Sequence, residues 1–284
     1  MGSNMRILLV WGAYLLLTPA TTLAQTAPEE LRKIARNPFA DEIKAQFEED
    51  FTFSQGPYDR SGNSLAIQPV IPLSVTRDWL LVTRVVADAV TYQPNRAAKK
   101  GGTTGLGDTT TSVFLTPVHP GKLIWGVGPA VLMPTATSNQ TGAGKWGVGP
   151  TAAVLVEPEW GSVGLVVQNI WSVAGGPNRS LVNQFQIEPS FSYNLSRGWY
   201  LTSNPTIIAD WAQSTSERWL LPIGGGAGRS FNIRKQAIDS NLTLYWNAIR
   251  AANQFSPKWQ LDVQFTFLFP IPKHSRNNDS WPKR

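Results

Sequence analysis

The sequence predicts an all-β protein, an antiparallel up-and-down transmembrane β-barrel of about 12 strands with a short helical N-terminal segment. Three observations carry this prediction. Apolar and polar residues alternate along many short segments, the connections between these segments alternate between short and long, and tryptophans gather near the segment ends. Together they favour a barrel in lipid over a soluble β-sandwich.

The last segment, from Trp259 to Phe269, shows the alternation most clearly. Its odd positions are all large and apolar, whereas its even positions up to Thr266 are polar. A period of two residues is typical of a β-strand with one apolar and one polar face. The apolar face would point inward in a soluble sandwich, but toward lipid in a membrane barrel. Alternation alone therefore leaves both folds open.

The connections between the alternating segments favour the barrel. Turns after the even-numbered segments are short, as at Glu157 to Glu159, and most others are longer and polar, as at Ala136 to Gly144. Outer-membrane barrels have this asymmetry, and an even strand number leaves both termini in the periplasm. The predicted strands are 47–55, 65–74, 79–91, 106–117, 123–135, 145–156, 160–172, 181–195, 199–211, 219–231, 236–248 and 259–269.

The tryptophans form two predicted belts, because they lie near strand ends rather than in strand centres. One belt lies near the short turns and contains Trp79, Trp125, Trp160 and Trp199. The other lies toward the long loops and contains Trp146, Trp171, Trp211, Trp219, Trp246 and Trp259. Indole rings prefer the headgroup level of a membrane, whereas a sandwich core would concentrate them in mid-strand.

The composition argues against an enzyme. The chain of 284 residues has no cysteine, which excludes disulfides, thiolate catalysis and cysteine metal sites. An outer-membrane hydrolase would need an imidazole on the outer side, but His119 lies in a predicted periplasmic turn and His274 in the C-terminal tail. We therefore expect no catalytic residue, no metal site and no cofactor.

The N-terminus reads as an export signal. Arg6 precedes the apolar run from Ile7 to Leu17, and small residues at Thr22 and Ala24 suit cleavage after Ala24. We therefore divide the chain into a signal peptide (1–24), a partly helical periplasmic leader (25–46), the outer-membrane barrel (47–270) and a polar periplasmic tail (271–284).

The leader has a helical pattern from Glu29 to Phe47. Leu31, Ile34 and Ala35 recur at helical spacing, and Asn37-Pro38 interrupts the pattern before it resumes. A short amphipathic segment before the barrel and a flexible leader without a role fit this pattern equally well.

Glycine and proline have positional meaning within the predicted strands. The sequence Trp-Gly-Val-Gly-Pro occurs at Trp125 to Pro129 and again at Trp146 to Pro150, where small residues would let adjacent strands bend. The run from Gly224 to Gly228 lacks the context of a phosphate loop and reads as strand glycine. Bulges or irregular pairing are expected at the strand prolines, which are Pro69, Pro72, Pro129, Pro150, Pro189, Pro205 and Pro222.

Several spaced motifs resemble one family of bacterial outer-membrane barrels. These motifs are Ile67 to Pro72, Gly105 to Asp108, Trp125 to Pro129 followed by Pro134 to Thr137, and Ala209 to Trp211. The family is named for the MetA pathway of phenol degradation, and its members are often mislabelled neuromedin U. The resemblance runs from about Asn37 to Pro270. It implies a transporter or channel, associated in some members with uptake of aromatic compounds, and it carries no catalytic residues.

The alternation along each predicted strand indicates which polar residues face the barrel interior, because ionisable groups are costly against lipid. The set is Arg84, Asp88, Asp108, Gln184, Gln186, Glu188, Asp210, Asp239, Asn241, Tyr245, Gln260 and Asp262. These residues would form a mostly acidic solute path. A hydrogen-bonded plug that only fills the barrel explains them equally well, since a 12-stranded barrel lies between filled and open sizes.

The sequence thus predicts an outer-membrane channel of a Gram-negative bacterium for passive uptake of small solutes, with hydrophobic or aromatic compounds among the candidates. The alternative is a non-conducting structural or assembly barrel. The net charge of +6 suggests an anionic partner. Because the cations concentrate in a loop and in the C-terminal tail, we expect outer-membrane lipid and lipopolysaccharide as partners, not nucleic acid. A small-molecule solute and the barrel-assembly machinery complete the expected partners.

Overall fold

The computed structural model describes residues 26–251 and 256–270. A nine-residue helix, α1 (Pro28–Arg36), precedes the sheet. Pro28 starts the helix, acidic Glu29 and Glu30 lie in its first turn, and basic Lys33 and Arg36 lie in its last turn, which complements the helix dipole. No helix in these two ranges is both long and apolar enough to cross a membrane.

Fourteen strands follow in the described part of the chain, all antiparallel to their neighbours. They are β1 (Glu42–Gln55), β2 (Arg60–Ser74), β3 (Trp79–Pro94), β4 (Gly102–Gly105), β5 (Thr109–Pro117), β6 (Leu123–Met133), β7 (Lys145–Val156), β8 (Gly161–Gly175), β9 (Asn183–Asn194), β10 (Trp199–Ser203), β11 (Ile207–Asp210), β12 (Trp219–Ile233), β13 (Gln236–Ile249) and β14 (Trp259–Pro270).

The sheet closes into a barrel because β14 pairs with both β13 and β1. Its pairing with β1 runs without a register shift from Glu42 opposite Pro270 to Phe53 opposite Trp259. Two barrel strands are interrupted: β4 and β5 both pair with β3, while β10 and β11 both pair with β9 and β12. Fourteen segments therefore make a closed barrel of 12 antiparallel strands, which confirms the predicted fold class.

The two interruptions lie at Leu106 to Asp108 and Asn204 to Thr206. Pro205 lies within the second of them, and a register shift between β12 and β13 lies at Leu221 and Pro222. These two prolines thus occupy irregular positions, as expected from the missing N–H donor. Pro129 and Pro150 face each other in the β6–β7 register, and each lies at a gap in the pairing on its other side. The β5–β6 pairing skips Pro129 and the β7–β8 pairing skips Pro150, as expected for strand prolines.

The connections alternate in length as predicted. Those at the end of the barrel where both described termini lie, here called the short-turn end, are tight, as between β12 and β13. The opposite end, called the long-loop end, carries connections such as Pro134 to Gly144. The predicted signal peptide and polar tail lie outside the described residues, so these two segments stay predictions.

The structure corrects the expected boundary between leader and barrel. Strand β1 begins at Glu42, so Ile43 and Phe47 do not continue the helical pattern but lie on the outward face of a strand. Helix α1 ends at Arg36, with Asn37 as its C-cap, where the sequence predicted the break. The helical spacing of Ile43 and Phe47 was coincidental, because residues four apart also lie on the same face of a strand.

Candidate functional site: the barrel lumen

The barrel interior is assigned by the register of neighbouring strands. Residues opposite each other in an antiparallel pair point to the same face of the sheet. Glu48, Asp50 and Gln264 therefore face inward with Asp262, which lies opposite Asp50. Phe47, opposite Phe265, faces outward instead. Polar inward faces and apolar outward faces alternate in this way around the barrel.

A central cavity of about 390 Å³ occupies the middle of the lumen. Among the described residues, five carboxylates and a single cation, Arg84, contribute to its wall. The carboxylates are those of Glu48, Asp50, Asp88, Asp108 and Glu188. Most other lining groups are hydroxyls and amides, so the cavity suits water and polar or positively charged solutes.

A chain of polar side chains crosses the lumen at the edge of the central cavity nearest the short-turn end. Arg84 Nη1 lies 3.1 Å from Glu188 Oε2, and Arg84 Nη2 donates to Gln68 Oε1 over 3.2 Å. Gln68 Nε2 in turn donates to Glu48 Oε2 over 2.8 Å. This network, called the crossbar, links β1, β2, β3 and β9, and so joins nearly opposite walls of the barrel.

A second cavity of about 540 Å³, called the vestibule, lies toward the long loops. It shares Asp88 and Asp108 with the central cavity. The two cavities therefore adjoin each other between the long-loop end and the crossbar, and together they are called the path.

The loop between β6 and β7 partly covers this path and is held from two sides. The Asp108 carboxylate accepts the backbone N–H groups of Ala136 (3.2 Å) and Ala143 (2.6 Å). Arg179, from the next long loop, donates to the carbonyls of Asn139, Gly142 and Ala143. The two side chains fix the shape of the vestibule.

An apolar cluster, called the floor, fills one side of the lumen between the crossbar and the short-turn end. Phe39, from the segment after α1, packs edge-on against Phe114, with ring centroids 5.5 Å apart. A Cβ at Gly126 would lie 2.7 Å from the Phe39 ring, so this glycine makes room for it. The other buried members of the floor are Val70, Leu80, Val82, Ile124, Ala153 and Leu155.

Helix α1 fills the rest of the short-turn end from inside the barrel. Leu31 is completely buried against Ala237 and Leu268, which lie on β13 and β14. Arg32 Nη1 donates to the carbonyls of Leu195 (3.1 Å) and Trp199 (2.9 Å), in the turn between β9 and β10. The amphipathic reading of the leader is thus confirmed, and its apolar face packs on the barrel interior.

Charged groups on both sides of α1 also contact the interior of the barrel at this end. Arg36 donates to Thr202 and stacks over the Tyr200 ring, 4.4 Å from its centroid. Tyr200 donates to Asp239 Oδ2 over 2.7 Å. Lys44 donates to the carbonyls of Ala35 and Asn37 just after the helix.

Glu157, in the turn between β7 and β8, lies near the same end of the barrel. Burial raises the pKa of its carboxyl, and the charges of Lys33 and Lys44 partly offset this effect. The helix thus meets an acidic group of the turns as well as their carbonyls.

The structure separates the twelve nominated interior residues into two groups. Those that line the path are Arg84, Asp88, Asp108, Gln184, Gln186, Glu188, Asp210 and Gln260. Three others face inward but are buried and line neither cavity. Their hydrogen bonds join Asp239 to Tyr200 and Ser230, Asn241 to Gln264, and Tyr245 to Asn204. Asp262, opposite Asp50, lines neither cavity and accepts from Thr243 over 3.4 Å.

Sequence reasoning missed Glu48, Asp50 and Gln68, which contribute to the central cavity. A signal for the first two was present, because they alternate with the apolar Phe47, Phe51 and Phe53. Their neighbour Glu49 hid this pattern by placing a charge on the outward face.

The run from Gly224 to Gly228 lies within strand β12, which confirms the prediction that these are strand glycines. Gly224, Gly226 and Gly228 lie on β12 opposite inward-facing residues of β13. A Cβ at Gly228 would lie 2.3 Å from the Tyr200 hydroxyl. The absence of a side chain therefore lets Tyr200 reach Asp239.

The tryptophans of the two predicted belts lie at strand ends. Trp79, Trp199, Trp219 and Trp259 are the first residues of their strands. Most of the ten indoles are exposed on the outer surface, and two pairs meet edge-on: Trp79 with Trp125, and Trp211 with Trp219.

Comparison with solved structures identifies the fold. The crystal structure of the COG4313 outer membrane channel from Pseudomonas putida F1 superposes with a TM-score of 0.60 at 16% identity, covering 82% of this chain and 97% of that one. The chain has the fold of an outer-membrane channel barrel. No protein-family model matches the sequence, and no curated protein matches it either. The phenol-degradation family suggested by the motifs therefore stays a resemblance.

More distant similarity extends to hydrocarbon transporters. A structure described as the CymD monoaromatic hydrocarbon channel aligns with a TM-score of 0.44 at 10% identity, covering 88% of this chain and 93% of that one. The Pseudomonas putida toluene transporter TodX aligns with a TM-score of 0.39 at 6% identity, covering 89% and 96%. These two similarities are too weak to bear on the solute of this chain.

Proposed function

We propose that this chain is an outer-membrane channel through which small solutes diffuse passively. The single observation that carries the proposal is the pair of adjoining polar cavities, vestibule and central cavity, whose walls share Asp88 and Asp108. In this proposal the long-loop end faces the cell exterior and the short-turn end faces the periplasm. No catalytic role is assigned to the lumen, because its groups are those of a solute path.

The chemistry of the path supports polar and cationic solutes. Five carboxylates and one guanidinium, that of Arg84, line the central cavity, and such acidic walls favour cations in channels. Hydrophobic or aromatic solutes remain candidates through the sequence resemblance. Such a compound would meet apolar surface at the floor, around Phe39 and Phe114.

A second candidate is a barrel that conducts nothing and serves a structural or assembly role. The observation that favours it is the packing of α1 and Phe39 inside the short-turn end, where they occupy part of the lumen. Under this alternative the polar interior is only a hydrogen-bonded filling.

A pair of neighbouring threonines on β5 tests the proposal. Thr110 lines the central cavity, whereas Thr111 lies opposite Val85 and Val131 on the outward face. Purified protein is reconstituted into planar bilayers, and the unit conductance is compared for the parent, Thr110→Trp and Thr111→Trp. We expect the parent and Thr111→Trp to conduct alike and Thr110→Trp to conduct at least twofold less. Absence of conductance in all three folded proteins would favour the non-conducting barrel.

A further inference from the structure

Positive charge is concentrated on one side of the long-loop end. Three neighbouring loops, between β1 and β2, β3 and β4, and β13 and β14, carry six cations with their flanking residues, against the one acid Asp59. This set, called the basic rim, is Arg60, Arg96, Lys99, Lys100, Arg250 and Lys258. On the opposite side, the loops after β6, β8 and β11 carry with their flanking residues three cations, Lys145, Arg179 and Arg218, against two acids, Asp210 and Glu217.

The β3–β4 hairpin presents three of these cations from a fixed loop. Arg60 Nη1 donates to the Ala98 carbonyl over 3.1 Å, and its Nη2 donates to the Gly101 carbonyl over 2.7 Å. Arg60 thus clamps the hairpin from the neighbouring strand. Arg96, Lys99 and Lys100 are exposed at the hairpin tip.

The hairpin also packs against the β1–β2 turn. The backbone of Gly56 has a φ of 68° and approaches so closely that a Cβ there would lie 2.6 Å from the Arg96 carbonyl oxygen. A side chain at Gly56 would therefore push the two loops apart. This contact and the Arg60 clamp keep the cations of the tip close together.

The basic rim continues to the level of the outer tryptophan belt. Trp246 and Trp259 lie opposite each other in the β13–β14 register, and the exposed Lys258 directly precedes Trp259. Lys258 donates its backbone N–H to the Phe53 carbonyl at the end of β1, which fixes it beside the β1–β2 turn. Because indoles mark the headgroup level, Lys258 lies where lipid phosphates lie, and the hairpin tip lies beyond that level.

We propose that the basic rim binds the phosphate groups of lipopolysaccharide. Lys and Arg form charge-assisted hydrogen bonds to phosphate, and clustered cations beside a membrane attract anionic lipid. Lipopolysaccharide is the anionic lipid of the outer leaflet, and the rim lies at that leaflet in the proposed orientation. The inference rests on that orientation but does not require conduction.

Two triple variants of equal charge test this inference. The rim variant Arg96→Gln/Lys99→Gln/Lys100→Gln removes the cations of the hairpin tip but keeps the Arg60 clamp. The control variant Arg77→Gln/Lys122→Gln/Lys235→Gln removes three exposed cations from the short-turn end. Full-length proteins in detergent are titrated with lipopolysaccharide carrying both lipid A phosphates and with dephosphorylated lipopolysaccharide, and binding is followed by native mass spectrometry.

Each cation near an anionic lipid contributes about fivefold in affinity, so loss of three should weaken binding substantially. We expect the rim variant to bind at least tenfold more weakly, the control to bind within twofold of the parent, and dephosphorylated lipid to bind weakly to all three. Parent-like binding by the rim variant, or an equal loss in the control, would overturn the inference. Bilayer conductance of the rim variant distinguishes this result from failure of the channel proposal, because the hairpin tip does not line either lumen cavity.

Discussion

The guanidinium of Arg84 on β3 and the carboxylate of Glu188 on β9 meet across the lumen, with Nη1 and Oε2 3.1 Å apart. The two residues are 104 positions apart in the sequence and five strands apart around the barrel. Their contact separates the acidic cavity from the apolar floor.

Two phenylalanine substitutions, one in the floor and one on the outer face, test whether the floor limits the conductance. Phe39→Ala removes the ring that packs on Phe114, so the short-turn end should open and the unit conductance should rise at least twofold. Phe265→Ala makes the same change on the outer face, where the ring is 46% exposed, and should leave the conductance unchanged. Single-channel recordings in planar bilayers measure both. An unchanged conductance in Phe39→Ala would show that the floor does not limit flow.

A charge introduced on the outward face should destabilise the barrel more than a charge introduced in the lumen. Leu242 is 52% exposed and lies midway between Ile238 and Trp246 on the outward face of β13. Leu242→Arg should lower the free energy of unfolding in lipid by about 2–4 kcal/mol. Gln260→Arg, which points into the central cavity, should cost less. Equal losses for the two variants would contradict the assigned faces.

Removing a charge from the outward face should stabilise the barrel. Glu49 tests this, because it places a carboxyl on that face. It lies opposite Val263 and Leu65, and its Oε1 accepts from Asn63 Nδ2. Glu49→Leu should raise the free energy of unfolding in lipid by about 1 kcal/mol or more, because a carboxyl is costly against hydrocarbon. Glu49→Gln is the control that keeps the size of the side chain. A loss of stability in Glu49→Leu would mean that the carboxyl contacts something other than lipid.

The closing strand predicts the effect of truncation. Strand β14 pairs with β13 and with β1, so its removal leaves two unpaired edges in hydrocarbon, where each unsatisfied backbone group costs several kcal/mol. A chain that ends before Trp259 should fail to insert, whereas one that ends after Pro270 should form a heat-modifiable barrel. Protease resistance in liposomes and gel mobility report the outcome. Insertion of the shorter chain would place barrel closure elsewhere.

Much of the fold was predictable because a barrel is built from local patterns. Alternation in β13 and β14 gave the correct faces for Leu242, Asn241 and Asp262, and turn lengths gave the correct strand number. Each of these signals lies within about a dozen residues of sequence, so no long-range information was needed.

The contents of the lumen were less predictable, because they depend on residues far apart in the chain. Alternation along a strand shows only that a residue faces inward. It could not distinguish Asp88, which lines both cavities, from Asp239, which is hydrogen-bonded to Tyr200 and Ser230 and lines neither. Helix α1 was recognisable as amphipathic, but its place inside the barrel depends on contacts such as Leu31 with Leu268. The interruption at Asn204 to Thr206 had one local signal, Pro205.

The reversal potential under a potassium chloride gradient tests the central claim most directly. That claim is that the acidic cavities of the lumen belong to a conducting path. Five carboxylates against one guanidinium predict cation selectivity for the parent, despite the net charge of +6. Arg84→Gln should strengthen this selectivity and Glu188→Gln should weaken it. Both substitutions keep a polar side chain on the wall of the central cavity, so both variants should fold. Cation selectivity that shifts in these two directions is the predicted result, and anion selectivity of the parent, or selectivity that neither substitution moves, would contradict the account.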